Sequence, residues 1–372
     1  MTYILGTVKN DTVYIVGDSV ITSVTNDQSS FKEIHTPHDA SAFGEGTIKN
    51  VDDLTVMQES TKKINIVSDK IVTAFAGNAN IAYGVIENIV KSPKIDSDPI
   101  RTIEHFTKKR KDIQLLFSIK KTGEPVVLYC YNVFNDGQVT ICQEGEIVHL
   151  GGYPEEIKEE LYEDIEKKVH VILDVNCLAP ELQRLTNLKL ITAYLQSFHY
   201  LQTIELGIGG TYFGIVHHDI PTPLDDTAFI LVNGSDIRTL TFELIGTLTR
   251  GDKTIVNSPF LNKPFRLLEP YLPTSPSYNQ LREKRVLEWL QDHDTYEEIV
   301  DNINNVEYQD YLFLHQNEKT DIIKILFVPN FDNRIKDIFE ITPNSTIKPI
   351  AQEFLDKMEI LIGDEGELID ML

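Results

Sequence analysis

Residues 2–22, TYILGTVKNDTVYIVGDSVIT, and residues 62–77, KKINIVSDKIVTAFAG, set the architecture of this 372-residue chain. Each stretch is a pair of short apolar runs around a polar turn, the pattern of a tight β-hairpin. In the first, ILGTV and TVYIVG flank Lys9-Asn10-Asp11; in the second, INIV and IVTAFA flank Ser68-Asp69-Lys70. The chain is therefore expected to begin in a sheet and to add a second hairpin whose outgoing strand closes at Gly77. Residues 23–60 lose periodicity: Asn26, Asp27, Ser29 and Ser30 precede His35, Pro37, His38 and a Gly44-Glu45-Gly46 turn. They are expected to form a long loop or insertion.

Beyond Gly77 a helix is predicted from about Ala79 to Val90, and a second from Pro99 to about Lys111. Apolar β segments follow at 113–119 and 125–131, and residues 137–150 read as a further strand pair. Gly151-Gly152-Tyr153-Pro154 then opens a helix in which Ile157, Leu161 and Ile165 recur every four residues while acidic side chains fill the other face. A longer helix, Pro180 to Gln202, places Leu188, Ile191, Leu195 and Phe198 on one stripe. Gly207-Ile208-Gly209-Gly210 leads into a strand from Thr211 to Val216, and Ala228 to Val232 completes a last hairpin. Strands and helices come in blocks and not as βαβ units, which predicts antiparallel sheets with helices packed outside.

From about Gly234 the texture changes, with Pro259, Pro264, Pro270, Pro273 and Pro276 crowded before helices expected near 280–291 and 296–304. A strand at Ile322 to Val328 and an acidic tail follow, so residues 233–372 read as a separate mixed α/β region.

Composition bounds the function. The 34 Lys+Arg against 57 Asp+Glu leave a net charge of −23, and 41% of residues are hydrophobic. That balance excludes disorder and a collagen-like chain. It also argues against nucleic acid as a partner, since phosphate binding needs clustered positive charge. The densest basic run, Lys108-Lys109-Arg110-Lys111, reads as one solvated helix face. Cys130, Cys142 and Cys177 contain no CxxC pair, which indicates neither a zinc site nor a disulfide framework and suggests a reducing compartment. The start carries no basic n-region, and no apolar run approaches the roughly 18 residues needed to span a bilayer. A cytoplasmic protein without a membrane partner is expected.

His217-His218-Asp219, and His35 with His38, are candidate metal ligands, but neighbouring strand residues point to opposite faces and rarely share one ion. No metal or cofactor is expected: GxSxG, HExxH and P-loop motifs are missing, and the Gly207 to Gly210 run enters a strand, the reverse of a dinucleotide fingerprint.

Four features of the two hairpins line up: Thr2, the first residue once Met1 is removed; Asp18 in Gly17-Asp18-Ser19-Val20-Ile21-Thr22; Lys63 in Lys62-Lys63-Ile64; and Ala76-Gly77. The interval from Thr2 to Asp18 is sixteen residues and that from Lys63 to Gly77 fourteen. In these motifs the chain resembles the catalytic β subunits of proteasomes and their bacterial ring-peptidase relatives, N-terminal nucleophile hydrolases. The resemblance covers about residues 2–232, with no counterpart for 23–60 or 234–372. It implies a four-layer αββα sandwich, a Thr2 nucleophile, Lys63 and Asp18 as its tuning pair, and Gly77 as oxyanion donor. Downstream, His149-Leu150-Gly151-Gly152-Tyr153 and Glu205-Leu206-Gly207-Ile208-Gly209-Gly210 resemble two further family motifs. There the family holds the terminal amine with two serines and an aspartate, where this chain has glycine (Gly151 or Gly152), Ile208 and Glu205. Thr22 and Phe75 fall where the family binds substrate, and Phe75 implies a shallow pocket suited to small side chains. The resemblance also implies a peptide or protein substrate, a homo-oligomer, by analogy a ring, and an ATP-driven unfoldase as a conceivable partner.

The chemistry explains the residue types. A Thr hydroxyl is a weak nucleophile near neutral pH, and a free α-amine with pKa around 7.7 to 8.0 is a base carried by the same residue. A buried lysine paired to an aspartate places positive charge beside that hydroxyl and favours the alkoxide. A backbone N–H at a glycine can receive the oxyanion, and losing such a donor costs about 3 to 4 kcal/mol of barrier. The expectation is a threonine-type peptidase or amidohydrolase; the alternative is a catalytically inactive module of the same fold, used for binding or assembly.

Overall fold

A computed structural model describes residues 2–24, 47–50, 55–59, 61–108, 110–132, 137–152, 155–174, 179–198, 210–250, 253–257, 266–270, 308, 310–316, 323–329, 335–341, 347–362 and 369–371. The helices expected near 280–291 and 296–304 lie outside these residues. The fold is mixed α and β, with several largely antiparallel sheets.

β1 (Tyr3–Lys9) and β2 (Thr12–Gly17) form the first hairpin, with Ile4 opposite Gly17 and Lys9 opposite Thr12. Asn10 and Asp11 take φ of 51° and 56°, the left-handed pair that makes a two-residue turn follow the twist of its strands. β3 (Val20–Val24), β4 (Thr47–Asn50) and β5 (Thr55–Glu59) make a small antiparallel sheet, so the stretch read as a loop carries strands at both ends. Its β-branched residues, among them Val24, Ile48 and Val56, favour strands; β4 and β5 pair locally, whereas the pairing of β3 with β5 spans more than thirty residues. β6 (Thr61–Lys62) leads to the second hairpin, β7 (Ile64–Ser68) and β8 (Ile71–Gly77).

α1 (Ala79–Val90) starts at Asn78, whose side chain accepts a hydrogen bond from the Ile81 N–H. α2 (Pro99–Thr107) is capped in the same way by Asp98 and stops earlier than expected. Lys108 departs from helical geometry (φ −48°, ψ 122°), so Lys108, Arg110 and Lys111 lie beyond the helix and do not form one of its faces.

β9 (Ile113–Lys120) and β10 (Val126–Tyr131) come next, then β11 (Val139–Ile141) and β12 (Ile147–Gly151). The last two were expected to pair with each other and do not: β11 adds to β10, whereas β12 adds to β1. Between them the Gly145 N–H donates to the Val8 C=O at 2.8 Å, where the chain crosses from one sheet to the other. α3 (Glu155–Asp174), α4 (Pro180–Phe198), β13 (Phe213–His217) and β14 (Pro221–Pro223) complete the first half.

Two five-stranded sheets result, in the orders β12-β1-β2-β13-β14 and β11-β10-β9-β8-β7. The alternation of β8 shows how they stack. Val72, Ala74 and Ala76 join Ile4 and Leu150 between the sheets, where Gly6 approaches Leu116 and Leu128. Ile71 and Phe75 turn the other way, onto Ala82, Ile86 and Ile89 of α1 and Ile103 of α2. On the far side, Ile165 and Val169 of α3 and Leu188 and Ile191 of α4 close the first sheet.

The remaining strands are β15 (Thr227–Asn233), β16 (Thr241–Arg250), β17 (Lys253–Asn257), β18 (Arg266–Pro270), β19 (Asp310–Gln316) and β20 (Ile323–Pro329). α5 (Ile335–Ile338), β21 (Phe339–Ile341), β22 (Ile347–Pro349), α6 (Gln352–Ile362) and β23 (Ile369–Met371) end the chain. β15 does not complete a hairpin with β13. It pairs antiparallel with β16 and parallel with β19, inside an eight-stranded sheet ordered β23-β20-β19-β15-β16-β17-β18-β6. Thr227 to Val232 are buried without alternation, which marks a strand covered on both faces. One of those faces packs on α6 through Phe313, Phe354 and Met358; the other, through Leu312 and Ile325, joins the core around α4. α4 therefore lies between two sheets, and its polar residues are buried with their partners: Lys189 pairs with Asp225 and Asp310, and Gln183 with Asn187. No helix among the described residues is long and apolar enough to cross a membrane.

Candidate active site

The two hairpins bring Thr2, Asp18 and Lys63 to one place. Asp18 directly follows β2, and its N–H donates to the Tyr3 C=O at 3.1 Å while its Oδ1 accepts from the Tyr3 N–H at 3.1 Å. The side chain thus stands in for the carbonyl that would continue the ladder, and its carboxylate is fixed behind the peptide joining Thr2 to Tyr3. Lys63 directly precedes β7, and its C=O accepts from the Phe75 N–H at 3.3 Å. Its Nζ donates to the same Asp18 Oδ1 at 2.6 Å, with both side chains buried, 2% and 0% exposed. Burial pushes the Lys63 ammonium below its ordinary 10.5, and the Asp18 charge and hydrogen bond oppose that push.

Thr2 is itself buried, and its C=O accepts from the Gly152 N–H at 2.8 Å. The loop after β12 meets it so closely that side chains are excluded. Gly151 (φ 71°) would place a Cβ 1.8 Å from the Thr2 carbonyl oxygen. Gly152 (φ 118°) would place one 1.8 Å from the Tyr162 hydroxyl. Tyr162 of α3 therefore fills the volume a side chain at 152 would take, and its hydroxyl donates to the Gly151 C=O at 3.2 Å.

Behind it the His149 ring stacks on Tyr162 at 4.0 Å and 8°. His149 Nδ1 lies 2.9 Å from the Tyr3 hydroxyl and Nε2 3.1 Å from Glu166 Oε1. A carboxylate at Nε2 favours the proton there, leaving Nδ1 to accept from Tyr3. The His149 hydrogen bond in turn holds the Glu166 carboxyl below its usual range. Sequence reading missed Tyr162 and Glu166; their i, i+4 spacing on α3 puts both on one helix face and was the available signal.

Gly77 ends β8 opposite Ile113 with φ 90°, where a Cβ would lie 2.3 Å from the Asp112 carbonyl oxygen. Ala76 brings this strand end beside Gly151: its Cβ is 3.4 Å from one built on that glycine. Phe75 points away from Thr2, into the core beneath α1 and α2. Thr22 lies in β3 opposite Met57. Glu205 and Ile208 lie outside the described residues, as do Met1, His35, His38 and Cys177.

The remaining candidates are occupied by structure. His217 is buried with Nδ1 2.8 Å from Ser118 Oγ, whereas His218 turns to Thr12 and the Asp11 carbonyl. Among the described residues no three metal-binding side chains gather. Cys130 and Cys142 are free and buried, and burial pushes both thiols up to about 12.

No protein-family model matches the chain, and no curated protein does. Among solved structures it is similar to HslV from Trypanosoma brucei, at 14% identity over 58% of this chain and 98% of that one, with a TM-score of 0.34. It is also similar to a mutant of Anbu from Hyphomicrobium sp. strain MC1, at 14% identity over 60% of this chain and 88% of the other, with a TM-score of 0.37. Neither likeness extends to the whole chain.

Proposed function

We propose that this protein is a threonine hydrolase of the N-terminal nucleophile type, cleaving peptide or other amide bonds, and that its layered half is the αββα sandwich of that class. The observation that carries the reading is the buried Lys63–Asp18 pair, tied to the Tyr3 N–H immediately after Thr2. A lysine and an aspartate withdrawn together from water at the start of a chain need a purpose, since such a pair adds little to stability over apolar residues.

Removal of Met1 frees the Thr2 amine. That amine takes the Thr2 hydroxyl proton as the oxygen bonds to the substrate carbonyl carbon. Lys63 lowers the cost of the developing negative charge, and Asp18 holds Lys63 charged and aimed. The Gly77 N–H receives the oxyanion. The leaving amine departs with the proton held by the Thr2 amine, and water then cleaves the Thr2 ester. Glu205 is assigned to the amine and Thr22 to the substrate chain; the cytoplasm, and self-association into a ring, complete the proposal.

The second reading, an inactive binding or assembly module, draws on Gly151 and Gly152, which bring no side-chain hydroxyl to Thr2. A Thr2→Ala variant separates the two in an assay of amide hydrolysis on a fluorogenic peptide library. Activity in the parent that vanishes in the folded variant supports the hydrolase. Equal turnover by both excludes Thr2 as the nucleophile, and no turnover by either favours the module.

A further inference from the structure

Beside the Thr2 cluster, a cavity of about 450 Å³ runs along α1, between β7 and β8 on one side and β13 and the β16–β17 hairpin on the other. Much of its wall is apolar, including Ile64, Ile86, Phe213 and Leu224. Polar and charged residues interrupt that wall, among them Lys62, Glu87, Lys91 and Thr254, and two others face each other across a hairpin. Asn65 of β7 and Thr73 of β8 are direct cross-strand partners, which puts their Cβ atoms about 5 Å apart. Asn65 Oδ1 and Thr73 Oγ1 are both buried, and neither has a hydrogen-bond partner among the described residues. Leaving such atoms unpaired is costly, and a leucine and a valine would fill the same wall without that cost. An apolar cavity with a few convergent polar groups is the usual build of a small-molecule site.

We propose that this cavity binds an apolar molecule bearing a primary carboxamide or a lactam edge. The Asn65 oxygen can only accept, whereas the Thr73 hydroxyl can donate. An amide with N–H and C=O on the same side meets both at once, N–H to Asn65 and C=O to Thr73. A trans secondary amide turns those two groups in opposite directions and meets one. Thr2, Asp18, Lys63 and Gly77 are not part of the lining, whereas Lys62 and Ile64 on either side of Lys63 are, so the cavity adjoins the proposed catalytic centre without including it and its occupancy does not depend on hydrolysis.

The test is calorimetric titration of the full chain with 4-butylbenzamide and with 4-butylacetophenone, which keeps the carbonyl and shape but lacks the N–H. The amide is expected to bind at least tenfold more tightly. Thr73→Val and Asn65→Leu are each expected to reduce that preference at least threefold while the ketone still binds, and Thr2→Ala to leave it unchanged. Circular dichroism melting confirms that each variant is folded. Equal binding of the two probes to the parent, no binding of either up to its solubility limit, or a preference that survives both wall substitutions overturns the proposal. A preference lost on Thr2→Ala alone also overturns it, because the amide would then occupy the Thr2 site.

Discussion

Asp18→Asn should be among the most damaging single-atom changes in the protein. Lys63 is buried, and its one charged partner among the hydrogen bonds described is Asp18 at 2.6 Å. Replacing the carboxylate by an amide leaves an ammonium in a site that already pushes its pKa down. Breaking one member of a buried pair costs about 3 to 5 kcal/mol. Lys63→Met strands the carboxylate instead and should cost a similar amount, softened because the Tyr3 N–H still donates to Asp18. The double variant removes both charges and should regain at least about 2 kcal/mol over either single one. Urea unfolding followed by circular dichroism measures this, read as the midpoint of the first transition because a chain of this size need not unfold in one step. Single variants that cost under about 1 kcal/mol, or a double variant whose loss equals the sum of the two, would refute the coupling. All three variants should lack hydrolase activity, and inactivity of the regained double variant shows that the pair serves chemistry as well as folding.

Gly152→Ala puts a Cβ against the Tyr162 hydroxyl at φ 118° and should lower stability by about 2 kcal/mol or more; combining it with Tyr162→Phe should restore part of that in the same urea assay. His217, buried and held at about 4 against an ordinary 6.5, stays neutral in the folded protein while its unfolded counterpart takes up a proton first as pH falls. Stability is therefore lost from pH 6.5 down to about 4, by about 3 kcal/mol in total, and His217→Gln should flatten that part of an acid titration. The Cys130 and Cys142 thiols, pushed up to about 12, should resist a disulfide-exchange reagent at pH 8 until the protein is unfolded, as peptide mapping of the labelled protein would show.

The hairpins were legible because their information is local: an Asn10-Asp11 turn and the alternation from Ile71 to Ala76 each sit within a few residues. The meeting of Asp18 with Lys63 was legible only through the resemblance of these motifs and their spacing to the proteasome-like hydrolases. What escaped was long-range. β11 and β12 look like a hairpin in sequence, yet each completes a different sheet. β15 looks like the end of the first half, yet its two buried faces belong to an eight-stranded sheet whose other strands come mainly from the C-terminal region. Phe75 is a different case: local strand alternation carries it to the helix side of the sheet, where the resemblance had implied a substrate pocket. The Tyr162–His149–Glu166 group escaped because, beyond the i, i+4 spacing of Tyr162 and Glu166, it unites a strand and a helix across the glycine loop that bars side chains near Thr2.

The most direct measurement is the intact mass of the protein purified from its source cell, before and after incubation with a β-lactone that acylates threonine hydroxyls, with the N-terminal peptide sequenced by fragmentation. The proposed mechanism predicts a chain lacking Met1 that gains one lactone equivalent, carried on Thr2. Quantitative retention of Met1, or a processed chain whose Thr2 takes no adduct while the protein is folded, contradicts it.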